Sequence, residues 1–164
     1  MSKPYVIGIM GPGEGAAAVD LERAEKLGAL IAQKGWTTLT GGRTKGVMEA
    51  ALKGAKKAGG QTIGILPTKD KNDATIYADI VVATGMHSGR NIINVLSSDV
   101  IVGCGMGAGT ASEIALAVKE KKPTILMTDN QAGKTFFQEL APDRVKIAKM
   151  PEEIIAFIEQ FMRD

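Results

Sequence analysis

The chain has 164 residues, 45% hydrophobic and 23% charged, the balance of an ordinary soluble globular domain with a core of its own. A net charge of +2 gives no bulk attraction to nucleic acid or to an anionic membrane. One cysteine excludes an internal disulfide and suits a reducing, cytoplasmic compartment, and the apolar run at 5–10 is too short for a signal segment or a membrane span.

Apolar runs and helical periodicities alternate along the chain. Residues 5–10 read as a strand that ends in the glycine-rich "GPGEG" at 11–15. An amphipathic helix follows over 19–34, with Ala24, Leu27, Leu30 and Ile31 on one face and Gly35 as its stop. A strand at 36–40 runs into Gly41 and Gly42, a helix over about 47–58 into Gly59 and Gly60, and a strand at 62–66 is halted by Pro67. The polar segment 68–79 reads as loop. Further on come a strand at 80–83, a helix at 90–97, a strand at 100–103, a helix after Thr110 closed by the basic stretch 119–122, and a strand at 124–127. A last strand at 145–147 precedes a helix over 151–162.

Alternation of this kind builds a parallel sheet with helices on both faces. The expected architecture is a single Rossmann-like α/β domain over 1–164, a doubly wound parallel sheet of about six or seven strands. No internal repeat, low-complexity tract or linker interrupts it.

The most informative stretch is "DVIVGCGMGAGTASE" at 99–113. A β-branched apolar run meets four alternate glycines, Gly103, Gly105, Gly107 and Gly109, and then a helix that Thr110 would cap. Strand, glycine loop and helix together make an anion site. Glycine lets the backbone approach a ligand closely, and the free N–H groups and dipole of the helix start favour negative charge. Phosphate is the natural guest, held by residues 105–110: Gly105, Met106, Gly107, Ala108, Gly109 and Thr110.

Other loops belong at the same edge, because ligands in such sheets bind outside the carboxyl ends of the strands. "GPGEG", with Gly11 and Gly13, lacks the full dinucleotide-binding spacing and reads either as a ligand loop or as a turn. "TGGRTKGVME" supplies Gly41, Gly42 and Gly46 as a second ligand-lining loop, and it is not a P-loop. Arg90 begins a crossover helix and therefore falls at that edge too. Glu113 lies near the start of the next helix, where it either complements the dipole or faces the cleft. His87 is the only histidine, which rules out a multi-histidine metal site, and no metal site is expected. Cys104 either packs beside the turn or offers a reactive thiol. Met86 and Met106 read as packing. In the helix at 90–97, Ile92, Ile93, Val95 and Leu96 spread round the axis, which suits a subunit interface or deep burial.

The runs "TGGRTKGVMEAALKGAKKAGGQTIGILP", "TGMHSGRNIINVLSSDVIV" and "GAGTASEIALAVKEKKP" resemble the Rossmann-like proteins long labelled lysine-decarboxylase-like, over roughly residues 4–160. That group includes the Lonely Guy phosphoribohydrolases, which release cytokinin bases from their nucleotides, and the molybdenum cofactor carrier proteins. Gly107, Gly109, Thr110 and Glu113 match the glycine-threonine-glutamate motif of the hydrolases, and Arg90 matches their catalytic arginine. Gly105, Met106, Asn91 and Thr40 depart from it. Those departures and the short chain are more similar to the carrier branch.

The resemblance implies a homo-oligomeric carrier that binds and protects a phosphorylated pterin, the molybdenum cofactor, and serves some molybdoenzyme. The alternative is a nucleoside 5′-monophosphate phosphoribohydrolase with Arg90 and Glu113 catalytic. No feature supports the pyridoxal site that a lysine decarboxylase would need.

Overall fold

Side-chain alternation in the first strand sets the layers. In β1 (Val6–Met10), Ile7 and Ile9 enter one apolar cluster while Met10 enters another on the opposite face of the sheet. The computed structural model describes residues 4–163; positions 1–3 and 164 of the expected domain lie outside the described residues. Seven parallel strands form one sheet in the order β4-β3-β2-β1-β5-β6-β7. The others are β2 (Thr37–Thr40), β3 (Thr62–Leu66), β4 (Ile80–Ala83), β5 (Val100–Cys104), β6 (Thr124–Met127) and β7 (Val145–Ile147). The α/β Rossmann-like, doubly wound architecture expected from the alternation is the one found.

One face is covered by α1 (Ala18–Gln33), α2 (Gly46–Lys57) and α6 (Pro151–Phe161), whose buried residues join Ile7, Ile9, Val100, Val102 and Ile125. The other is covered by α3 (Arg90–Leu96), α4 (Ala108–Lys119) and α5 (Gln131–Leu140). Ile101 is fully buried at the centre of this second face, where truncation to Ala costs about 2–5 kcal/mol. Helices α1 and α2 meet almost backbone to backbone: a Cβ on Gly28 would sit 2.0 Å from the Ala51 carbonyl oxygen, and one on Gly54 1.8 Å from that of Glu25. Gly28 and Gly54 therefore serve helix packing.

Three sequence expectations need correction. The first concerns α5, which the sequence reading passed over. Its apolar residues are few, and Phe136 and Leu140 stay exposed while Phe137 alone buries deeply. The available signal was Asn130, whose side chain accepts from the Gly133 N–H as an N-cap at 2.7 Å. Second, the segment 68–79 carries a short 3₁₀ turn at Lys71–Asp73 and an isolated antiparallel bridge between Arg43 and Ala74.

Third, α4 begins at Ala108, not after Thr110. Gly107 occupies the cap position in extended backbone, and Thr110 is the third helical residue and caps nothing. The turn itself is made at Gly105, whose φ of +80° strongly favours glycine, so the helix can start earlier than the glycine pattern suggested.

Chain order fixes where the site lies. Strands β1 to β4 step outward in one direction, and β5 returns to the other side of β1. The loops that follow β1 and β5 therefore diverge, leaving a crevice at their carboxyl ends, the topological switch point.

Candidate functional site

A cavity of about 260 Å³ occupies that switch point. Its walls are the β1 turn at 11–14, Gly41 after β2, Met48 of α2, Arg90 and Asn91 of α3, and residues 107–110 with Glu113 of α4.

The floor is the start of α4. The first backbone bond of that helix runs from the Ala111 N–H to the Gly107 carbonyl, 2.8 Å, so the N–H groups of Ala108, Gly109 and Thr110 precede it without helical partners. No side chain caps this end. The Thr110 hydroxyl is buried and has no hydrogen-bond partner among the described residues. Free N–H donors and the positive end of the dipole thus face the cavity, an arrangement whose chemistry suits an oxyanion.

Arg90 forms one wall. Its Nη1 donates to the carbonyl oxygens of Gly41 at 2.8 Å and Ile65 at 2.7 Å, which clamps the guanidinium across the ends of β2 and β3. Its Nε is buried without a partner. Burial lowers the Arg90 pKa, the Glu113 carboxylate opposes that, and the nearby Arg43 adds to it. Gly41 leaves room for this clamp, since a Cβ would stand 2.4 Å from Nη1 and displace it.

Glu113 is 7% exposed. Its Oε1 accepts from the Asn94 amide at 2.9 Å. Burial pushes its carboxyl up to about 7, against the Asn94 hydrogen bond and the charge of Arg90. Asn91 donates to the Ser112 hydroxyl at 2.8 Å. Asn91 and Asn94 thus bring polar groups to the buried side of α3, towards α4, while Leu96 is 55% exposed. The inner side is mixed: Val95 is fully buried in the cluster around Ile101, with Ile92 and Ile93 packed against it, beside the polar Asn91 and Asn94.

Comparison with known proteins follows the same line. A model of the SLOG cluster4 family matches residues 4–155. The chain belongs to this family. It is similar to the molybdenum cofactor binding protein from the phototrophic bacterium Rippkaea orientalis, at 49% identity and a TM-score of 0.97, over 99% of each chain. It is also similar to the Moco carrier protein from Chlamydomonas reinhardtii, at 45% identity and a TM-score of 0.92, over 98% of this chain and 99% of that one. A cytokinin riboside 5′-monophosphate phosphoribohydrolase from Mycobacterium tuberculosis is 33% identical over 96 residues, 57% of this chain and 51% of its own. The resemblance read from the sequence motifs points to the same group.

In this SLOG cluster4 chain the expected site residues separate into two sets. Gly11, Gly13, Gly41, Arg90, Gly107, Ala108, Gly109, Thr110 and Glu113 line the cavity together. Gly42, Gly46, Gly105 and Met106 lie outside its lining and act in packing. A Cβ on Gly42 would be 2.8 Å from the Gly64 Cα, and one on Gly46 2.2 Å from the Gly13 carbonyl oxygen. Gly105 turns the chain, and Met106 packs with the cluster around Phe137.

Ile9, Met10, Pro12, Glu14, Met48 and Asn91 line the cavity without having been singled out as ligand-lining. All but Met48, the third residue of α2, belong to or adjoin segments that were. Cys104 is fully buried, and burial pushes its thiol up to about 12, so it packs and does not react. Among the described residues no group of three or more His, Cys, Asp or Glu side chains could hold a metal ion, and no helix is long and apolar enough to cross a membrane.

Proposed function

We infer that this chain binds the molybdenum cofactor as a carrier, with the cofactor's terminal phosphate on the start of α4. The observation that carries the reading is the uncapped helix end beside the orphaned Thr110 hydroxyl, in a chain 49% identical to a molybdenum cofactor binding protein. The residues fit the group. A phosphorylated pterin brings an oxyanion for the N–H groups of residues 108–110 and a flat ring for the Met48, Pro12 and Gly13 walls. Arg90 supplies positive charge on one side, and Glu113 is neutral for part of the time near pH 7, which spares an anionic ligand a facing carboxylate. Carrying requires no proton transfer. The chemistry the cofactor supplies belongs to the molybdoenzyme that receives it.

A second reading rests on Glu113 itself. A buried carboxyl with a pKa near neutrality beside an arginine is the kind of group that can transfer a proton at physiological pH. An N-glycosidic phosphoribohydrolase would use it on an oxocarbenium-like centre. Against this stand Gly105 and Met106 in the loop motif and the commitment of Arg90 Nη1 to two backbone carbonyls.

Incubation with a panel of nucleoside 5′-monophosphates discriminates the two. The carrier reading expects no free base, together with retention of added molybdenum cofactor. Base release that vanishes in Glu113→Gln would establish the hydrolase.

The reading includes a homo-oligomer in the cytosol. Ile80 and Val82 of the edge strand β4 are 46% and 42% exposed, on the face that carries Ile63 and Ile65 in register. They are apolar surface at the sheet edge that a second copy would cover.

A further inference from the structure

The cavity at the switch point is small for its ligand: about 260 Å³, where small-molecule sites run to roughly 300–1,000 Å³. A second hollow of about 400 Å³ adjoins it, and Arg90, Asn91 and Gly109 line both. The outer hollow is walled by Arg43, Pro67, Thr68, His87 and Ser88, none of which lines the first. We propose that Arg43, Thr68, His87 and Ser88 form a second oxyanion subsite, across Arg90 from the start of α4, for the far end of the same ligand. The proposal rests on the carrier reading for the identity of that ligand, though not for the existence of the subsite.

Several independent features point to an anion there. Arg43 is held by its backbone bridge to Ala74, and its side chain forms no ion pair among the described residues. Asp73 shares a neighbouring hollow with Arg43 yet does not pair with it. Two guanidiniums, Arg43 and Arg90, feel each other across the hollow with no carboxylate between them lining it. The Thr68 hydroxyl is buried without a partner.

His87 stands in the left-handed region at φ 49°, which a non-glycine residue rarely adopts, and its N–H is tied to the Pro67 carbonyl at 2.9 Å. His87 and Ser88 are exposed and line the same hollow as Arg43. Hydroxyl, imidazole and guanidinium donors around one hollow are the equipment for a tetrahedral oxyanion. Two sources share that chemistry: a phosphoryl group, or a metal centre bearing oxo groups.

His87 is the only histidine in the chain, so its imidazole resonance is an unambiguous reporter. The test is an NMR titration of the full chain with inorganic phosphate and, separately, with molybdate, at fixed pH and ionic strength with chloride as the control. A saturable shift of the His87 signal is expected with at least one oxyanion and not with chloride. The apparent Kd should rise about fivefold or more in Arg43→Ala and in the near-isosteric Thr68→Val. It should persist in Gly107→Val, where the start of α4 is blocked. Tighter binding of molybdate assigns the subsite to an oxo-metal group, and tighter binding of phosphate assigns it to a phosphoryl group.

A silent His87, an equal response to chloride, an unchanged Kd in both subsite variants, or loss of the response in Gly107→Val would overturn the proposal. Cofactor capture with a silent His87 removes the subsite alone. A titrating His87 without cofactor capture removes the carrier reading alone.

Discussion

Arg90 and Glu113 face one cavity from adjacent helices, yet no ion pair joins them among the described residues. Each is held by a neutral partner instead: Arg90 by the carbonyls of Gly41 and Ile65, Glu113 by the amide of Asn94. The carboxylate therefore does not hold the arginine in place; of the two roles its sequence position suggests, it takes the one that faces the cleft. Both charges stay available to a ligand.

For Glu113 this has a pH signature. Its carboxyl titrates near 7 in the folded chain and near 4.5 when unfolded. The folded state thus keeps a proton that the unfolded chain gives up. Glu113's contribution to stability is full below about pH 4.5, declines as pH rises towards 7, and is gone above it. Glu113→Gln keeps an acceptor for Asn94 and removes that decline. Its Tm should match the wild type at pH 5 and exceed it by several degrees at pH 8, as read by scanning calorimetry. Equal Tm differences at both pH values would contradict the assignment.

Ligand affinity should follow the same titration. An anion next to Glu113 favours the protonated carboxyl, so wild-type affinity for a phosphorylated ligand falls between pH 6 and pH 8 beyond the change due to the ligand itself. Calorimetric titration of Glu113→Gln should give a flatter profile.

Gly41→Ala should act through Arg90. The added Cβ would stand 2.4 Å from Nη1 and 2.6 Å from the Met48 sulfur, so the guanidinium must leave its clamp. Ligand affinity should fall about tenfold to a hundredfold, as it should in Arg90→Ala, with each factor of ten worth about 1.4 kcal/mol. The double variant should lose little more than either single one, because the two changes remove the same contact.

Gly42→Ala separates packing from binding. Gly42 has φ +74°, and its Cβ would be 2.8 Å from the Gly64 backbone, while the residue lies outside the cavity lining. The expected cost is about 1–3 kcal/mol of stability with near-normal affinity in the folded fraction. Denaturant unfolding and ligand titration together check both halves.

These glycines show what the sequence could and could not convey. Periodicity placed every strand and the switch-point loops, because β-branched runs such as Val100–Ile101–Val102 and glycine stops are local signals. Which glycine faces a ligand is not local. Gly41 and Gly42 are adjacent in sequence, yet one lines the cavity and the other packs on β3, a difference set by a partner strand more than 20 residues away. The same applies to Thr110, which has the composition of a helix cap but sits three residues inside α4, since Gly105 had already made the turn. Asn94 and Arg43 gave no signal either. Their roles exist only once α3 meets α4 and the segment 68–79 folds back on Arg43.

The measurement closest to the central claim is cofactor retention by the wild type and by Gly107→Val. A Cβ at Gly107 would meet only Pro12 carbons at 3.6 and 3.8 Å and the Thr110 hydroxyl at 4.0 Å, so the added bulk falls mainly in the cavity and leaves the core intact. The two proteins would be mixed anaerobically with molybdenum cofactor freed from a molybdoenzyme, desalted, and analysed for bound molybdenum and pterin. The account predicts near-stoichiometric retention of both by the wild type, and loss of most of it in a folded Gly107→Val. Equal retention by the two proteins, or none by either, would contradict it.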